Sequence, residues 1–308
     1  MMSRAAQAKT PKHDFSQNEF PLGARDFAIL AELVKADAGI VLEPEKMSLV
    51  YARLARRLRL LGLESFRKYC AFVKSNEGAS ERRQMIEALT TNVTRFFREA
   101  HHFMHLKTEV LPGLIARARA GERVRLWSAG CSSGEEPYSI ALTLLSLMPD
   151  AGKFDIKVLG TDIDRGVLQQ GREGIYPQSA IAPIGAELRE RWFAPCEAAE
   201  KERLWQVKPE LRGLVAFRMA NLIGPWPMKG PFRVVVCRNT VIYFGEAARA
   251  QIWIKMAALI APGGYLYIGH SERLPAGLSC FQPAGLTVFL RDESAAPETI
   301  KPYAKEKH

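Results

Sequence analysis

The second part of the chain alternates short apolar runs with helical segments, and this pattern constrains the fold most strongly. Glycine or polar residues bound the apolar runs, and helical periodicity follows them. Strands that alternate with helices are typical of a parallel, doubly wound sheet. The sequence therefore predicts an α/β domain whose strands include residues 124–127, 156–159, 234–237 and 265–268.

The first part of the chain, from Phe27 to about Leu89, has only helical periodicity. One helix is predicted to begin at Pro44, because proline suits a first turn, and to end at Gly62. No strand-like alternation interrupts this part, so residues 21–89 are predicted to form a small all-α domain. The apolar positions of its first two helices are Phe27, Leu30, Leu33 and Val34, then Val50, Leu54, Leu58 and Leu61.

Three other segments lack both patterns. Residues 1–20 and 292–308 are rich in Lys, Glu, Pro and Ala, and we expect both to be loose tails, the first disordered and the second flexible. Around residues 176–215 a charged, irregular stretch interrupts the alternation of strands and helices. We interpret this stretch as a small inserted subdomain.

Composition excludes several classes of protein. The chain has 308 residues, enough for about two domains, and its 47% hydrophobic and 25% charged residues are typical of a globular protein. It has no signal peptide and no apolar run of membrane-spanning length, so we expect a cytoplasmic protein without membrane insertion. Its five cysteines form no CxxC pair, which disfavours disulfides and a metal site. The net charge of +10 allows a nucleic acid, an anionic membrane surface or an acidic protein as partner.

The stretch VRLWSAGCSSGEEPYSIAL, residues 124–142, predicts a strand, a glycine loop and a helix. Gly130 and Gly134 let a ligand approach the backbone at the carboxyl end of the strand. Glu135 and Glu136, in the first turn of the helix, would repel a pyrophosphate and favour a ligand with positive charge.

Asp162, at the end of the next strand, is placed to hold the hydroxyls of a ribose. S-adenosylmethionine combines a ribose with a sulfonium and an ammonium and has no phosphate, so it is the predicted cofactor. The alternative is that these acids only stabilise the ends of a helix and a strand.

Six motifs then follow one another in a recognisable order. They are TTNVTRFFRE (90–99), WSAGCSSGEEPYSIA (127–141), GTDID (160–164), GIY (174–176), CRNTVIYF (237–244) and GHSE (269–272). Over about residues 25–291 the chain thereby resembles the chemotaxis receptor methyltransferases of the CheR type. The resemblance implies a helical N-terminal domain that recognises the substrate and a linker at 90–100 that contributes to the cofactor site. It also implies a Rossmann-like methyltransferase domain at 101–291 with a small inserted β-subdomain.

The resemblance further implies methyl transfer from S-adenosylmethionine, leaving S-adenosylhomocysteine, to glutamates in the cytoplasmic domains of methyl-accepting chemotaxis receptors. We predict Arg98 and Tyr243 as the catalytic residues: Arg98 would orient the acceptor carboxylate by a bidentate contact, and the resemblance implies that Tyr243 lies near the transferred methyl. The alternatives are a surface arginine in a linker and a core tyrosine. Glu135 stays an alternative to Glu136 as a cofactor contact. We expect a monomer. The expected cofactor-binding residues are Asn92, Thr94, Arg98, Gly130, Glu136, Asp162, Asn221, Leu222, Arg238 and Asn239.

The basic side of the second helix is a candidate substrate-recognition surface. It carries Arg53, Arg56 and Arg57, and receptor methylation segments are acidic helices, so complementary charge would steer them. A solvated helix face would have the same pattern. Residues 192–211 contain no glycine, so the chain lacks the Arg-Gly-x-Gly loop with which enteric members dock a receptor pentapeptide.

Two other functions compete with receptor methylation. A nucleic-acid methyltransferase is disfavoured because residues 236–239 read VCRN, without the motifs of adenine or cytosine methylation, and no basic groove interleaved with aromatics is evident. We therefore expect no nucleic-acid partner. The second alternative is a catalytically silent cofactor-binding module, or a methyltransferase that acts on a different acidic protein.

Overall fold

A computed structural model describes residues 19–196 and 203–293 of the chain. The chain divides into two compact units between Thr90 and Thr91. Most of the two expected tails, residues 1–18 and 294–308, lies outside the described residues, as do residues 197–202 of the expected insertion.

The first unit consists of helices. Its core includes Phe27, Leu30 and Val34 from the first helix, as the periodicity predicts. A 3-10 turn over Pro44–Lys46 leads into the second helix, which ends before a left-handed Gly62, and both predicted ends are confirmed. The helices are α1 Ala24–Ala38, α2 Met47–Leu61, α3 Phe66–Lys74 and α4 Ala79–Leu89.

One apolar position of α2 differs from its prediction. Val50, Leu54 and Leu58 are buried, but Leu61 is 38% exposed. Leu61 is the last helical residue, and the chain turns away at Gly62, where the N–H of Leu63 returns to the carbonyl of Leu58. The apolar face of α2 therefore ends one turn before the helix does.

The second unit contains a seven-stranded sheet and a separate three-stranded sheet. The four predicted strands are confirmed as β1, β2, β7 and β8, each extended by one or more residues. The strands are β1 Val124–Ala129, β2 Ile156–Asp162, β3 Ile175–Pro177, β4 Phe193–Cys196, β5 Leu204–Val207, β6 Val215–Met219, β7 Phe232–Cys237, β8 Ile260–Ile268, β9 Phe281–Gly285 and β10 Val288–Arg291.

The larger sheet has the order β6-β2-β1-β7-β8-β10-β9. Its first five strands are parallel, and β10 and β9 add an antiparallel hairpin at one end. The smaller sheet, β3-β5-β4, is antiparallel and forms within the expected insertion. The predicted fold class is thus confirmed: an all-α unit, then a Rossmann-like unit with a small inserted β-sheet.

Helices cover both faces of the large sheet. Alternate strand residues enter two hydrophobic clusters, with Leu126 and Val234 in one and Trp127 and Val235 in the other. Strands buried on both faces read as continuous apolar runs, which explains why these runs predict them well. The helices of this unit are α5 Ala100–His105, α6 Leu111–Arg119, α7 Glu135–Leu147, α8 Arg165–Glu173, α9 Gln178–Ile181, α10 Ala186–Trp192, α11 Pro209–Arg212 and α12 Glu246–Leu259, with a π-helical turn Leu106–Val110 joining α5 to α6.

Candidate functional site

The loop between β1 and α7 contains two glycines that no other residue replaces without strain. Gly130 has φ of +75° and Gly134 has φ of +99°, both in the left-handed region. A Cβ on Gly130 would lie 2.3 Å from the Oγ1 of Thr240, and one on Gly134 would lie 2.9 Å from the Cζ of Phe217. The loop is therefore packed closely at the carboxyl end of the sheet, where parallel α/β sheets bind ligands.

Two buried glutamates follow this loop in the first turn of α7. The carboxylate of Glu136 accepts hydrogen bonds from the Oγ of Ser128 at 2.6 Å and from the Nε of Arg238 at 2.8 Å. Glu135 accepts one from the Oγ of Ser133 at 2.7 Å, and burial raises its pKa. The two glutamates thus differ, because Glu136 has an arginine partner and Glu135 is bonded to a hydroxyl.

Asp162 provides a third buried carboxylate beside the loop. It accepts hydrogen bonds from the backbone N–H groups of Ser132, at 2.8 Å, and of Asp164, at 3.0 Å. Burial raises its pKa, as it does that of Glu135. A carboxylate has about four acceptor positions, so Asp162 keeps acceptor capacity for hydroxyl donors of a ligand.

The segment after Thr91 is bonded to residues next to these three carboxylates. The side-chain amide of Asn92 donates to Asp164 at 2.7 Å, and its carbonyl accepts from the Oγ of Ser132 at 2.8 Å. Further along, the N–H of Phe97 donates to the Oγ of Ser139 on α7, at 2.9 Å. The structure therefore brings the first of the six motifs to the glycine loop.

The end of that segment has an unusual backbone. Phe97 and Glu99 have φ of +53° and +57°, although neither is a glycine. Between them Arg98 is half-buried, and its guanidinium donates to the carbonyl of Val93 at 3.0 Å. Thr94 is also half-buried. Left-handed non-glycine residues cost about 1–3 kcal/mol each and persist only where the surroundings hold them.

The remaining expected residues lie at the ends of β6 and β7. Asn221 follows β6, where the N–H of Ala220 bonds to the carbonyl of Asp162 at 2.9 Å, so it lies at the same edge of the sheet. Leu222 is buried, and its carbonyl accepts from Lys255 at 3.2 Å. Asn239 follows Arg238 and has φ of +55°.

Tyr243 ends a short 3-10 turn after β7 and is 36% exposed. The buried carboxylate of Glu272, from the GHSE motif, shapes that turn by accepting from the N–H groups of Thr240 and Val241 at 2.9 and 3.0 Å. Glu272 also accepts from the N–H of Gly269 at 2.6 Å, and burial raises its pKa. The GHSE motif includes Glu272, but the sequence did not indicate which backbone N–H groups donate to it.

Two further side chains, Glu99 and His102, lie beside Arg238, and the sequence did not single out either of them. Glu99 approaches the Nδ1 of His102 at 3.6 Å and the guanidinium of Arg238 at 3.9 Å. Glu99, His101 and His102 have ligand atoms close enough together to surround a metal ion. The guanidinium of Arg238 already brings a positive charge to this place, and it lies 3.3 Å from the Nδ1 of His102. A second cation there would be repelled, so the cluster does not fit a metal.

The three arginines expected to recognise the substrate lie on α2 in the helical unit and differ in their contacts. Arg57 forms a two-pronged ion pair with the buried Glu81, at 2.9 and 2.5 Å. Arg53 donates to the carbonyls of Ala88, at 3.3 Å, and Thr90, at 2.5 Å. Arg56 is exposed. Two of the three side chains therefore already have partners within the unit.

The site as a whole suits a cofactor with positive charge and ribose hydroxyls. Three buried carboxylates lie beside the glycine loop, and of these three Glu136 is the one bonded to a buried arginine, Arg238. The first turn after the loop carries two acidic side chains and no basic one. The model of a family described as "CheR methyltransferase, SAM binding domain" matches residues 92–290, and one described as "CheR methyltransferase, all-alpha domain" matches residues 25–90. The chain is an S-adenosylmethionine-dependent methyltransferase.

Named relatives are similar to this chain over most of its length, which includes both units. A probable chemotaxis protein methyltransferase of Rhizobium etli is 48% identical over 258 residues, which are 83% of this chain and 96% of that protein. Chemotaxis protein methyltransferase 2 of Pseudomonas aeruginosa is 38% identical over 91% of this chain and 98% of its own length. The Escherichia coli chemotaxis protein methyltransferase is 40% identical over 85% and 89%. The chain belongs to the CheR family of chemotaxis protein methyltransferases, as its motifs predict.

Among residues 19–196 and 203–293, no helix combines the length and the apolar composition that a membrane span requires.

Proposed function

We propose that this protein transfers the methyl group of S-adenosylmethionine to glutamate side chains in the cytoplasmic domains of methyl-accepting chemotaxis receptors, forming glutamate methyl esters. The observation that carries the proposal is a buried carboxylate cluster in a chain that matches both CheR domain models. The names of the relatives support a chemotaxis protein as the substrate.

The proposed cofactor site uses the edge of the sheet described above. Asp162 would accept hydrogen bonds from the ribose hydroxyls, and Glu136 and Glu135 would balance the positive charge of the cofactor. Gly130 would let the cofactor approach the backbone. The residues around them in this proposal are Asn92, Thr94, Arg98, Asn221, Leu222 and Asn239.

The bound cofactor supplies an electrophilic methyl group on its sulfonium. A glutamate acceptor is ionised at neutral pH, since its reference pKa is ~4.3, so the protein needs no general base. Its residues must instead align the acceptor and exclude water.

An incoming carboxylate would be repelled by the buried acids of the site, so a cation has to offset them. Arg98 is the residue proposed for this role, because its described contacts use one of its five N–H groups. The guanidinium would orient the acceptor carboxylate but would not bind it strongly. An interaction that stabilises the bound substrate as much as the transition state does not raise the rate of methyl transfer. Tyr243, partly exposed at the end of the 3-10 turn that follows β7, would lie near the transferred methyl.

Substrate recognition is proposed for the basic side of α2. Receptor methylation segments are acidic helices, and complementary charge speeds their approach. Arg56 is the exposed member of the three arginines and would carry most of this attraction. Arg53 and Arg57 would contribute their charge while they remain bonded within the helical unit.

Methyl transfer can be tested with purified protein, methyl-labelled S-adenosylmethionine and receptor-rich membranes from the cognate organism. Alkali releases methanol from carboxyl methyl esters but not from N-methyl or C-methyl products. We expect alkali-labile label on a protein of receptor size, and loss of most of it in Arg98→Ala and Tyr243→Phe. Alkali-stable label, or no label despite cofactor binding, would contradict the proposal.

A further inference from the structure

We propose that the side chain of Arg238 is a positioning residue, which orients Glu136 and the backbone at Arg98, and does not itself bind the cofactor. The inference rests on the proposed assignment of Glu136 to the cofactor site. It differs from the expectation that the family resemblance suggests, in which Arg238 is one of the cofactor contacts.

The guanidinium of Arg238 is enclosed by protein groups. Its side chain is 2% exposed, and its Nε donates to Glu136 at 2.8 Å. One NH group donates to the carbonyl of Arg98 and lies 3.3 Å from the Nδ1 of His102. The ring of Phe103 lies 5.3 Å from the guanidinium carbon. These contacts join the end of β7 to α5, to α7 and to the segment before α5.

His102 is held as a neutral acceptor for this guanidinium. Its Nε2 lies 2.8 Å from the hydroxyl of Thr287 and 3.2 Å from the carbonyl of Leu286. The Thr287 hydroxyl donates its proton to the Leu286 carbonyl at 2.7 Å, so both partners accept from the ring and Nε2 carries the proton. The Nδ1 lone pair therefore points to Arg238. Burial and the charge of Arg238 lower the pKa of His102 to about 3, so its ring does not compete as a cation at neutral pH.

The Arg98 carbonyl is the point at which Arg238 acts on the linker. Phe97 and Glu99, on either side of it, have left-handed backbones that need support. The guanidinium of Arg238 donates to the carbonyl between them. This hydrogen bond supports the left-handed conformation and fixes the position of the Arg98 backbone, from which the Arg98 side chain extends. Glu99 adds a second carboxylate 3.9 Å from the same guanidinium. Arg238 thereby couples the position of a proposed acceptor-orienting residue to that of a proposed cofactor residue.

The proposal can be tested by calorimetric binding of S-adenosylhomocysteine to four full-length proteins: wild type, Arg238→Met, Glu136→Gln and the double variant. Loss of the charge-assisted bond to Glu136 should weaken binding roughly ten- to hundredfold in Arg238→Met. In the Glu136→Gln background the same substitution should change the affinity less than about threefold, because its target carboxylate is gone. A direct cofactor contact would instead give equal effects in both backgrounds and would overturn the proposal. So would wild-type affinity in Glu136→Gln.

Arg238→Lys provides a second test that keeps a positive charge beside Glu136. We expect S-adenosylhomocysteine affinity within about threefold of wild type but slower methyl transfer, because one ammonium cannot serve both Glu136 and the Arg98 carbonyl. If Arg238→Met does not fold, Arg238→Gln with and without Glu136→Gln repeats the comparison. Equal loss of affinity from Arg238→Gln in both backgrounds would overturn the proposal. Because binding is measured without an acceptor protein, failure of receptor methylation would leave this result interpretable.

Discussion

Replacing Arg57 by alanine distinguishes two roles of the basic side of α2: stabilising the helical unit and recognising the receptor. In the structure Arg57 binds Glu81, which is 4% exposed and also accepts a hydrogen bond from the Oη of Tyr69 at 2.9 Å. Burial and Glu81 raise the pKa of Tyr69, so its hydroxyl remains a donor. The variant leaves the Glu81 carboxylate buried with Tyr69 as its remaining side-chain donor among the described contacts.

The expected cost follows from the burial of the two partners. Removing one member of a fully buried ion pair costs about 3–5 kcal/mol, because the other charge is left uncompensated. The side chain of Arg57 is 20% exposed, so water can partly solvate the space that it leaves. We therefore expect Arg57→Ala to destabilise the helical unit by about 2–3 kcal/mol. Arg56→Ala, on the exposed side of the same helix, should stay within about 0.5 kcal/mol of wild type.

Native-state hydrogen exchange of amides in residues 24–89 measures this cost where it arises. A double variant, Arg57→Met with Glu81→Leu, removes both charges and should recover most of the lost protection. In a receptor methylation assay at low ionic strength, Arg56→Ala should lower the rate although its stability is unchanged. Unchanged protection in Arg57→Ala would contradict a stabilising role for the Arg57–Glu81 ion pair and would leave Arg57 available for contact with receptors.

Three shorter predictions concern the second unit. Gly130→Ala should destabilise the protein by more than about 2 kcal/mol in urea unfolding, because its Cβ would lie 2.3 Å from the Oγ1 of Thr240 at a φ of +75°; wild-type stability would contradict this. Tyr176→Phe should cost about 1 kcal/mol in the same assay, since it removes the 2.7 Å hydrogen bond from the Tyr176 hydroxyl to the Ser133 carbonyl. Affinity for S-adenosylhomocysteine should fall as the pH is lowered from neutrality, because burial raises the pKa of Asp162 and hydroxyl donors bind its ionised form; Asp162→Asn should give a flatter calorimetric pH profile, and equal slopes would refute this role.

The parts of the fold that the sequence predicts are those with a local signal. Strands such as β1 and β7 are buried on both faces and therefore form apolar runs, and the glycine loop has residues that left-handed backbone requires. Other strands have no such signal. The edge strand β9, FQPAG, contains a proline and a glycine, and β6 is short and ends in exposed residues. Their pairing depends on neighbours far along the chain.

The candidate site shows the same limit. The types of the residues and their places at strand ends could be inferred from the motifs, but their partners could not. Arg238 reaches Glu136 across 102 positions and Arg57 reaches Glu81 across 24, and no periodicity joins such pairs. A basic helix face looks the same whether its arginines contact solvent or a buried carboxylate, so only the structure distinguishes Arg56 from Arg57.

We propose that buried carboxylates at the ends of β1 and β2, and not a phosphate-binding loop, form the cofactor site. Calorimetry of the wild-type protein with S-adenosylhomocysteine and with NAD⁺, repeated on Asp162→Asn, tests it most directly. We expect the wild-type protein to bind S-adenosylhomocysteine and not NAD⁺. Asp162→Asn should weaken the binding of S-adenosylhomocysteine roughly ten- to hundredfold, because charge-assisted hydrogen bonds to the ribose are lost. Competition by NAD⁺, or unchanged affinity in Asp162→Asn, would contradict it.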